Sequence, residues 1–322
     1  MNMVNAIDQA IDIKLQDDPN VLVYGEDVGV EGGVFRVTEG LQKKYGKKRV
    51  FDTPLAESAI VGTAVGMTAA GLRPVIEMQF SGFVYPAINQ IISHVARLRN
   101  RTRGKYGTQM VIRMPYGGGI NALENHSESM EAMFGHMPGL KVVIPSTPGD
   151  AKGLLISAIE SEDPVIFMEP KRIYRAIKQE VSEEKYSIPL GKAKVLQSGT
   201  DVTVVAYGTM VREVQRAIVK AKEAGISVEL IDLRSIYPID KATLAASIKK
   251  TGRLVVVAEG PTSFGVGAEL MAIANEEAFL HLEAPPKRVT GFDTIVPLPK
   301  GEHFYLIGPD KIFYEIEKTV KY

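Results

Sequence analysis

The chain has 322 residues, with 38 lysines and arginines against 38 aspartates and glutamates, and no cysteine. That length suggests two α/β domains, each able to bury its own core. The even charge creates no global field toward nucleic acid or a membrane, and the missing thiol excludes disulfides, thiolate metal sites and a cysteine nucleophile. No apolar run approaches the roughly 20 residues of a membrane span. The opening residues lack a basic region followed by a long apolar segment, so a cytoplasmic protein without an export signal is expected.

Val4, Ile7, Ile11 and Leu15 recur at helical spacing and predict a helix over 4–16, broken by Asp17-Asp18-Pro19-Asn20. Val21–Tyr24 reads as a buried strand. The glycine-rich stretch 25–33 behind it carries Glu26 and Asp27, at the strand end where open α/β sheets bind ligands. An ordinary turn bearing solvated acids is an equal reading. Residues 40–48 look like a basic, exposed helix end, and Arg49–Asp52 like a brief strand. Asp52-Thr53 ahead of Pro54 reads as a cap and helix start, and the helix over 58–71 carries Gly62, Ala64, Gly66, Ala69 and Ala70. Small residues cost helix stability and let another backbone approach closely, across a subunit interface for example. Glu57 stands at the mouth of this apolar helix, where scarce water would favour its neutral form and poise it for proton transfer near neutral pH. The plainer reading is a first-turn acid that complements the helix dipole.

Arg73–Phe80 reads as a strand, followed by a turn at 81–86 and a helix at 87–99. The cluster Arg97, Arg99, Arg101, Arg103 and Lys105 reads as a solvated face or loop salt bridges, since no groove-reading motif accompanies it. After a strand at 110–113 comes Gly117-Gly118-Gly119, which lacks the lysine and hydroxyl of a P-loop and the spacing of a dinucleotide fingerprint. His126 follows in a polar run. It is suited to proton transfer near pH 7 or to substrate contact, with simple exposure an equal alternative; His136, His94, His281 and His303 read as structural. Strands at 142–145 and 165–169 flank a helix at 148–158, and this alternation argues for a doubly wound parallel sheet. The pattern lapses over 171–191. It resumes with strands at 202–208, 228–233 and 254–258 and helices at 211–224 and 243–250. The expected division is therefore a first α/β domain at 1–175, a linker at 176–192 and a smaller α/β domain at 193–322.

Gly25-Glu26-Asp27-Val28-Gly29, Asp52-Thr53-Pro54-Leu55-Ala56-Glu57, Gly71-Leu72-Arg73-Pro74, His126-Ser127-Glu128-Ser129, Pro138-Gly139-Leu140-Lys141-Val142-Val143 and Ala151-Lys152-Gly153-Leu154-Leu155 occur in one order along nearly the whole chain. In that order they resemble the beta subunit of the first component (E1) of thiamine diphosphate-dependent 2-oxo acid dehydrogenases. The resemblance implies a pyrimidine-binding domain followed by a transketolase C-terminal domain. It also implies assembly with an alpha subunit as an α2β2 heterotetramer, and work with a lipoyl acyltransferase core. Carried onto this chain, it makes Glu57 the acid that hydrogen-bonds the cofactor's aminopyrimidine. Phe83 and Gln79 become residues beside that ring, and His126 a contact for the 2-oxo acid or lipoyl group. No Gly-Asp-Gly with paired asparagines is present, so magnesium and the diphosphate are expected on the alpha subunit.

The resemblance further implies a structural potassium near Met110, Ala158, Ser161 and Asp163, with Ser161 standing where an acid is more usual. Met168–Arg175 and Gly291-Phe292-Asp293-Thr294 are similar to the branched-chain members more than to the pyruvate members. Branched-chain 2-oxo acids are therefore the first substrate expectation and pyruvate the second. Glu283, Asp293 and the carboxylate of Tyr322 are candidates to meet the acyltransferase core, with an exposed tail an equal reading. Two rival readings are an NAD(P) oxidoreductase and a non-catalytic assembly scaffold. Gly265-Val266-Gly267 lacks the full fingerprint the oxidoreductase needs and reads as close packing.

Overall fold

A computed structural model describes residues 1–322. The strands are β1 (Val21–Gly25), β2 (Val50–Asp52), β3 (Arg73–Glu77), β4 (Val111–Tyr116), β5 (Lys141–Val143), β6 (Val165–Pro170), β7 (Lys194–Gln197), β8 (Val202–Ala206), β9 (Val228–Asp232), β10 (Ser235–Tyr237), β11 (Leu254–Val257) and β12 (Lys287–Val289). The first sheet has the order β2-β1-β3-β4-β6-β5-β10 and is parallel except for β10. The second runs β7-β9-β8-β11-β12, with β7 antiparallel. The central strands β1, β4, β6, β8, β9 and β11 are buried along their whole length, as expected of a parallel sheet covered on both faces.

Three apolar layers hold the two sheets. The helices Met3–Asp17 and Pro148–Glu160 pack together over one face of the first sheet, around Ile7, Ile11, Leu155 and Phe167. The helices Thr209–Glu223 and Pro309–Val320 cover the outer face of the second sheet. The largest cluster lies between the sheets and takes Tyr24, Ile112, Met114 and Val142 from the first and Val205, Ile231, Leu254 and Val256 from the second. The domains therefore share a core. β10 extends the joint, because it belongs to the second half of the chain yet pairs with β5, Ser235 against Val143. Arg234 pairs with Asp150 across the same boundary, and Tyr207 Oη donates to Glu131 Oε1 at 2.9 Å. Residues 176–192 contain neither helix nor strand.

Two local expectations change. The helix expected at 87–99 is broken into short pieces, including a π-turn over Ile91–Val95 in which Ala96 N–H reaches back to the Ile91 carbonyl at 2.9 Å. Asp52 does not cap the next helix, which starts at Glu57 behind Ala56 with no side-chain cap. Its carboxylate instead accepts from the amides of Gly29 at 2.6 Å and Val30 at 3.2 Å, and so pins the β1 loop to β2. The intervening proline accounts for the difference: Pro54 is exposed and lies before the helix rather than in its first turn.

Candidate active site

In the first sheet the chain leaves β1 toward β2 on one side and returns to β3 on the other. The crevice outside the carboxyl ends of such diverging strands is where open α/β sheets bind ligands. β1 ends at Gly25 and delivers Glu26 and Asp27, β2 leads to Glu57, and β3 leads to Gln79, Phe80 and Phe83. Gln79 Nε2 donates to Asp27 Oδ2 at 2.9 Å and so closes the loops over the switch point. Asp27 takes a left-handed backbone, φ 58°, at the turn.

Glu57 begins the helix Glu57–Ala69. Tyr24 positions that helix from below: its hydroxyl donates to the Ile60 carbonyl at 3.0 Å, and its ring stacks on Phe51 with centroids 4.8 Å apart. Only Ile60, Val61 and Ala64 of the helix are buried. Glu57 is half-buried and its neighbour Leu55 is 81 % exposed, so the dry pocket expected around Glu57 is not formed by this chain alone. The helix is apolar on every side but covered on one, and a Cβ on Gly66 would meet nothing within 4 Å.

Glu26 is the acid that sequence reasoning undervalued. It is buried, and neither carboxylate oxygen has a hydrogen-bond partner. Burial, then the charges of Glu57 and Asp27, raise its pKa from 4.5 to about 7. A desolvated acid beside two others, at the switch point of the sheet, is a signature of a functional site. The sequence showed the acidic loop but not that β1 sinks its first residue.

His126 closes the site from the other side, on the short turn Glu124–His126. Its ring meets Phe80 edge-on at 4.4 Å and Phe83 at 5.0 Å, and its buried Nδ1 has no partner. Gly82 permits this approach, since a Cβ there would lie 2.1 Å from the Asn125 carbonyl oxygen. Glu57, Gln79, Phe83 and His126 thus gather at one crevice. Flat aromatic surface, unpartnered polar atoms and a half-buried carboxylate together fit a polar heteroaromatic ring.

The triple glycine has a different use. Gly118 N–H donates to Glu259 Oε1 at 2.6 Å, Gly119 N–H to Glu302 Oε1 at 2.6 Å and Asn121 N–H to Glu302 Oε2 at 2.8 Å. Lys171 Nζ donates to the Gly117 carbonyl. The loop cradles carboxylates of the second domain and so tethers the segment carrying His126. Burial lowers the pKa of Lys171 and raises that of Glu259, each opposed by the charge of the other.

Below the crevice lies an ion cluster. Arg113 is fully buried and donates to Glu77 at 2.8 Å and to both oxygens of Glu169 at 2.7 and 3.0 Å, while Tyr174 donates to Glu169 at 2.5 Å. Glu169, Lys171, Ile173 and Tyr174 are therefore core residues. Gly291 is equally structural, with a Cβ there placed 2.5 Å from Tyr305 Oη, and Asp293 receives the Ser263 amide at 2.8 Å and its hydroxyl at 2.7 Å. Met168–Arg175 is thus largely a packed segment, whereas in Gly291–Thr294 only the glycine is buried and Phe292, Asp293 and Thr294 are exposed. Of the other expected features, Arg99 pairs with Asp163 at 3.0 Å in a loop salt bridge, and Gly267 packs closely on Arg288 and Val256. No helix is long and apolar enough to cross a membrane.

The chain matches the family described as "Transketolase, pyrimidine binding domain" over residues 1–177 and that described as "Transketolase, C-terminal domain" over 191–312. It is 58 % identical to the "Pyruvate dehydrogenase E1 component subunit beta" of Acholeplasma laidlawii, over 100 % of this chain and 98 % of the relative. Proteins of the same name from Mycoplasma pneumoniae and Staphylococcus epidermidis are 50 % and 49 % identical, over 99 % and 100 % of this chain and 98 % and 99 % of theirs. These relatives are named for pyruvate, not for branched-chain acids. The solved structure titled "Split gene transketolase, inactive beta4 tetramer" superposes with a TM-score of 0.80 at 22 % identity, over 100 % of this chain and 99 % of that one, and shares the fold. The chain belongs to the family of beta subunits of the 2-oxo acid dehydrogenase first component, built from a transketolase pyrimidine-binding domain and a transketolase C-terminal domain.

Proposed function

We propose that this chain supplies the pyrimidine-binding half of a thiamine diphosphate site, completed by an alpha subunit in an α2β2 heterotetramer, and that the assembly oxidatively decarboxylates pyruvate and acylates the lipoyl group of an acyltransferase core. The observation that carries this is the gathering of Glu57, Gln79, Phe83 and His126 at the switch point, beside the unpartnered carboxylate of Glu26. When bound, thiamine diphosphate supplies the nucleophilic carbon that adds to the 2-oxo acid and holds the electron pair left by departing carbon dioxide.

Each residue of the chain has a definite task in that reading. Glu57 would be the acid that holds and exchanges a proton with the pyrimidine ring nitrogen. Covering the exposed Leu55 and the bare side of its helix with the alpha subunit would dry it and tune it for that exchange. Phe83 would pack on the ring, and Gln79, held by Asp27, would orient it. His126, its ring packed edge-on against Phe80 and Phe83, would be the group that meets the 2-oxo acid or the lipoyl group. Diphosphate and magnesium fall to the alpha subunit, because this chain has no Gly-Asp-Gly with paired asparagines. The acyltransferase core would meet the second domain. Of the three candidates there, Glu283 is held by Arg253 at 2.7 Å and Asp293 by Ser263, while Tyr322 is exposed.

Pyruvate is preferred over branched acids because near full-length relatives at 49–58 % identity carry the pyruvate name. The test is thiamine diphosphate-dependent decarboxylation with an artificial electron acceptor, for the chain alone and co-expressed with an alpha subunit, on pyruvate and on 3-methyl-2-oxobutanoate. Turnover only in the pair, faster on pyruvate, is the expected result. Turnover by the isolated chain would end the half-site reading, and a faster branched acid would reverse the substrate assignment.

A further inference from the structure

Ser161 and Asp163 sit on the turn between the helix Pro148–Glu160 and β6, where the family resemblance implies a potassium ion. Their surroundings do not suit one. Lys141, the first residue of β5, donates from Nζ to Ser161 Oγ at 3.1 Å and lies 3.2 Å from Asp163 Oδ2. The other Asp163 oxygen is 3.0 Å from Arg99 Nε. Ser161 Oγ also donates to the Asp163 carbonyl at 2.8 Å and accepts from the Asp163 amide at 3.2 Å. The carbonyl of Met110 accepts from Val165 N–H at 3.0 Å and that of Ala158 from Ser161 N–H at 3.2 Å. Glu162 adds a carboxylate only at 4.0 Å from Arg99.

We infer that the turn Ser161–Asp163, with a neutral serine and a single acid already paired with Lys141 and Arg99, does not hold the monovalent cation, so that the turn and the assembly built on it do not require potassium. The reasoning rests on charge and on strand register. A monovalent metal ion is held by oxygens, and a site with a second acid would attract it. Here the residue in that place is a neutral serine, and both oxygens of the remaining acid are taken by two cations. A third cation would meet repulsion from both. Lys141 is also fixed from below, since its amide donates to the Pro164 carbonyl at 3.0 Å and β5 pairs with β6, Lys141 against Val165. The ammonium is thus delivered to the turn by the sheet itself.

The test is thermal unfolding of the complex with the alpha subunit in potassium, sodium and choline chloride at equal ionic strength. An ion bound at about 100 times its Kd raises the unfolding temperature by several degrees. The expected result is one midpoint in all three salts; a midpoint that climbs with potassium and not with sodium overturns the inference. A second protein, Lys141→Met with Ser161→Asp, removes the ammonium and restores an acid. Its midpoint should drop in choline and recover with potassium, and a folded variant indifferent to potassium would also overturn the inference. The wild-type titration decides alone if the variant does not assemble. Since the readout is unfolding, the outcome is independent of which 2-oxo acid the complex uses.

Discussion

Glu302 provides the sharpest structural prediction. It is 1 % exposed, and its two oxygens accept from Gly119 at 2.6 Å and Asn121 at 2.8 Å, tying the second domain to the loop that carries His126. Glu302→Gln keeps the shape but replaces one acceptor by an amide nitrogen facing an N–H, and removes the charge from the other bond. Losing one charge-assisted hydrogen bond costs about 1.5–3 kcal/mol, which at about 1.4 kcal/mol per factor of ten makes loop opening about 10- to 140-fold more frequent. Hydrogen exchange in the assembled complex would read this directly. Amides 118–121 should exchange faster by that factor, while those of β8 stay unchanged. Unaltered exchange at 118–121 would show that the loop is held by something other than the glutamate.

Other substitutions probe separate parts of the account. Arg113→Met leaves Glu77 and Glu169 buried without their shared cation and should cost about 3–5 kcal/mol in denaturant unfolding; a loss below about 1 kcal/mol would mean the cluster is not held by charge pairing. Glu26 has its folded pKa raised, mainly by burial, from 4.5 to about 7. Its contribution is therefore fully present below pH 4.5 and lost as pH rises through about 7. Glu26→Gln should flatten that part of the stability–pH curve and make the protein more stable than wild type at pH 8, and identical slopes would refute the raised pKa. Phe83→Ala should weaken cofactor binding by the worth of an aromatic contact, about 0.5–1.5 kcal/mol or roughly 2- to 12-fold. Titration of the complex with thiamine diphosphate measures it, and unchanged affinity would remove Phe83 from the ring.

Much of this was legible in the sequence because period and punctuation agree. The strands β1, β4, β6, β8, β9 and β11 are short apolar runs bounded by turn residues, and such runs survive tertiary context. β10 was not legible: Ser235-Ile236-Tyr237 has no period of its own, and its pairing with β5 exists only because the second domain folds back. The same non-local closure hid the carboxylate partners of the triple glycine, which lie 141 and 183 residues away. The site acids were visible as a motif, but their environments were not. Glu57 was expected to be dry and is half-buried, whereas Glu26 was read as an equal chance of a solvated turn and is buried. A lone sequence records the polarity of a residue, while its desolvation depends on chains packed from elsewhere. Substrate was not legible for a related reason: Met168–Arg175 builds the Arg113 cluster and the domain joint, and packing residues do not distinguish one 2-oxo acid from another.

The central claim is that this chain contributes a proton-exchanging acid to a cofactor site shared with another subunit. Its most direct test is Glu57→Gln in the complex co-expressed with the alpha subunit, with assembly confirmed by native mass measurement. The account predicts an intact α2β2 heterotetramer whose decarboxylation rate falls by about 10²–10⁴, the usual worth of a positioned acid–base group. An assembled variant that retains turnover within about threefold of wild type, too small a loss for such a group, would contradict it and leave the chain as a scaffold for chemistry done elsewhere.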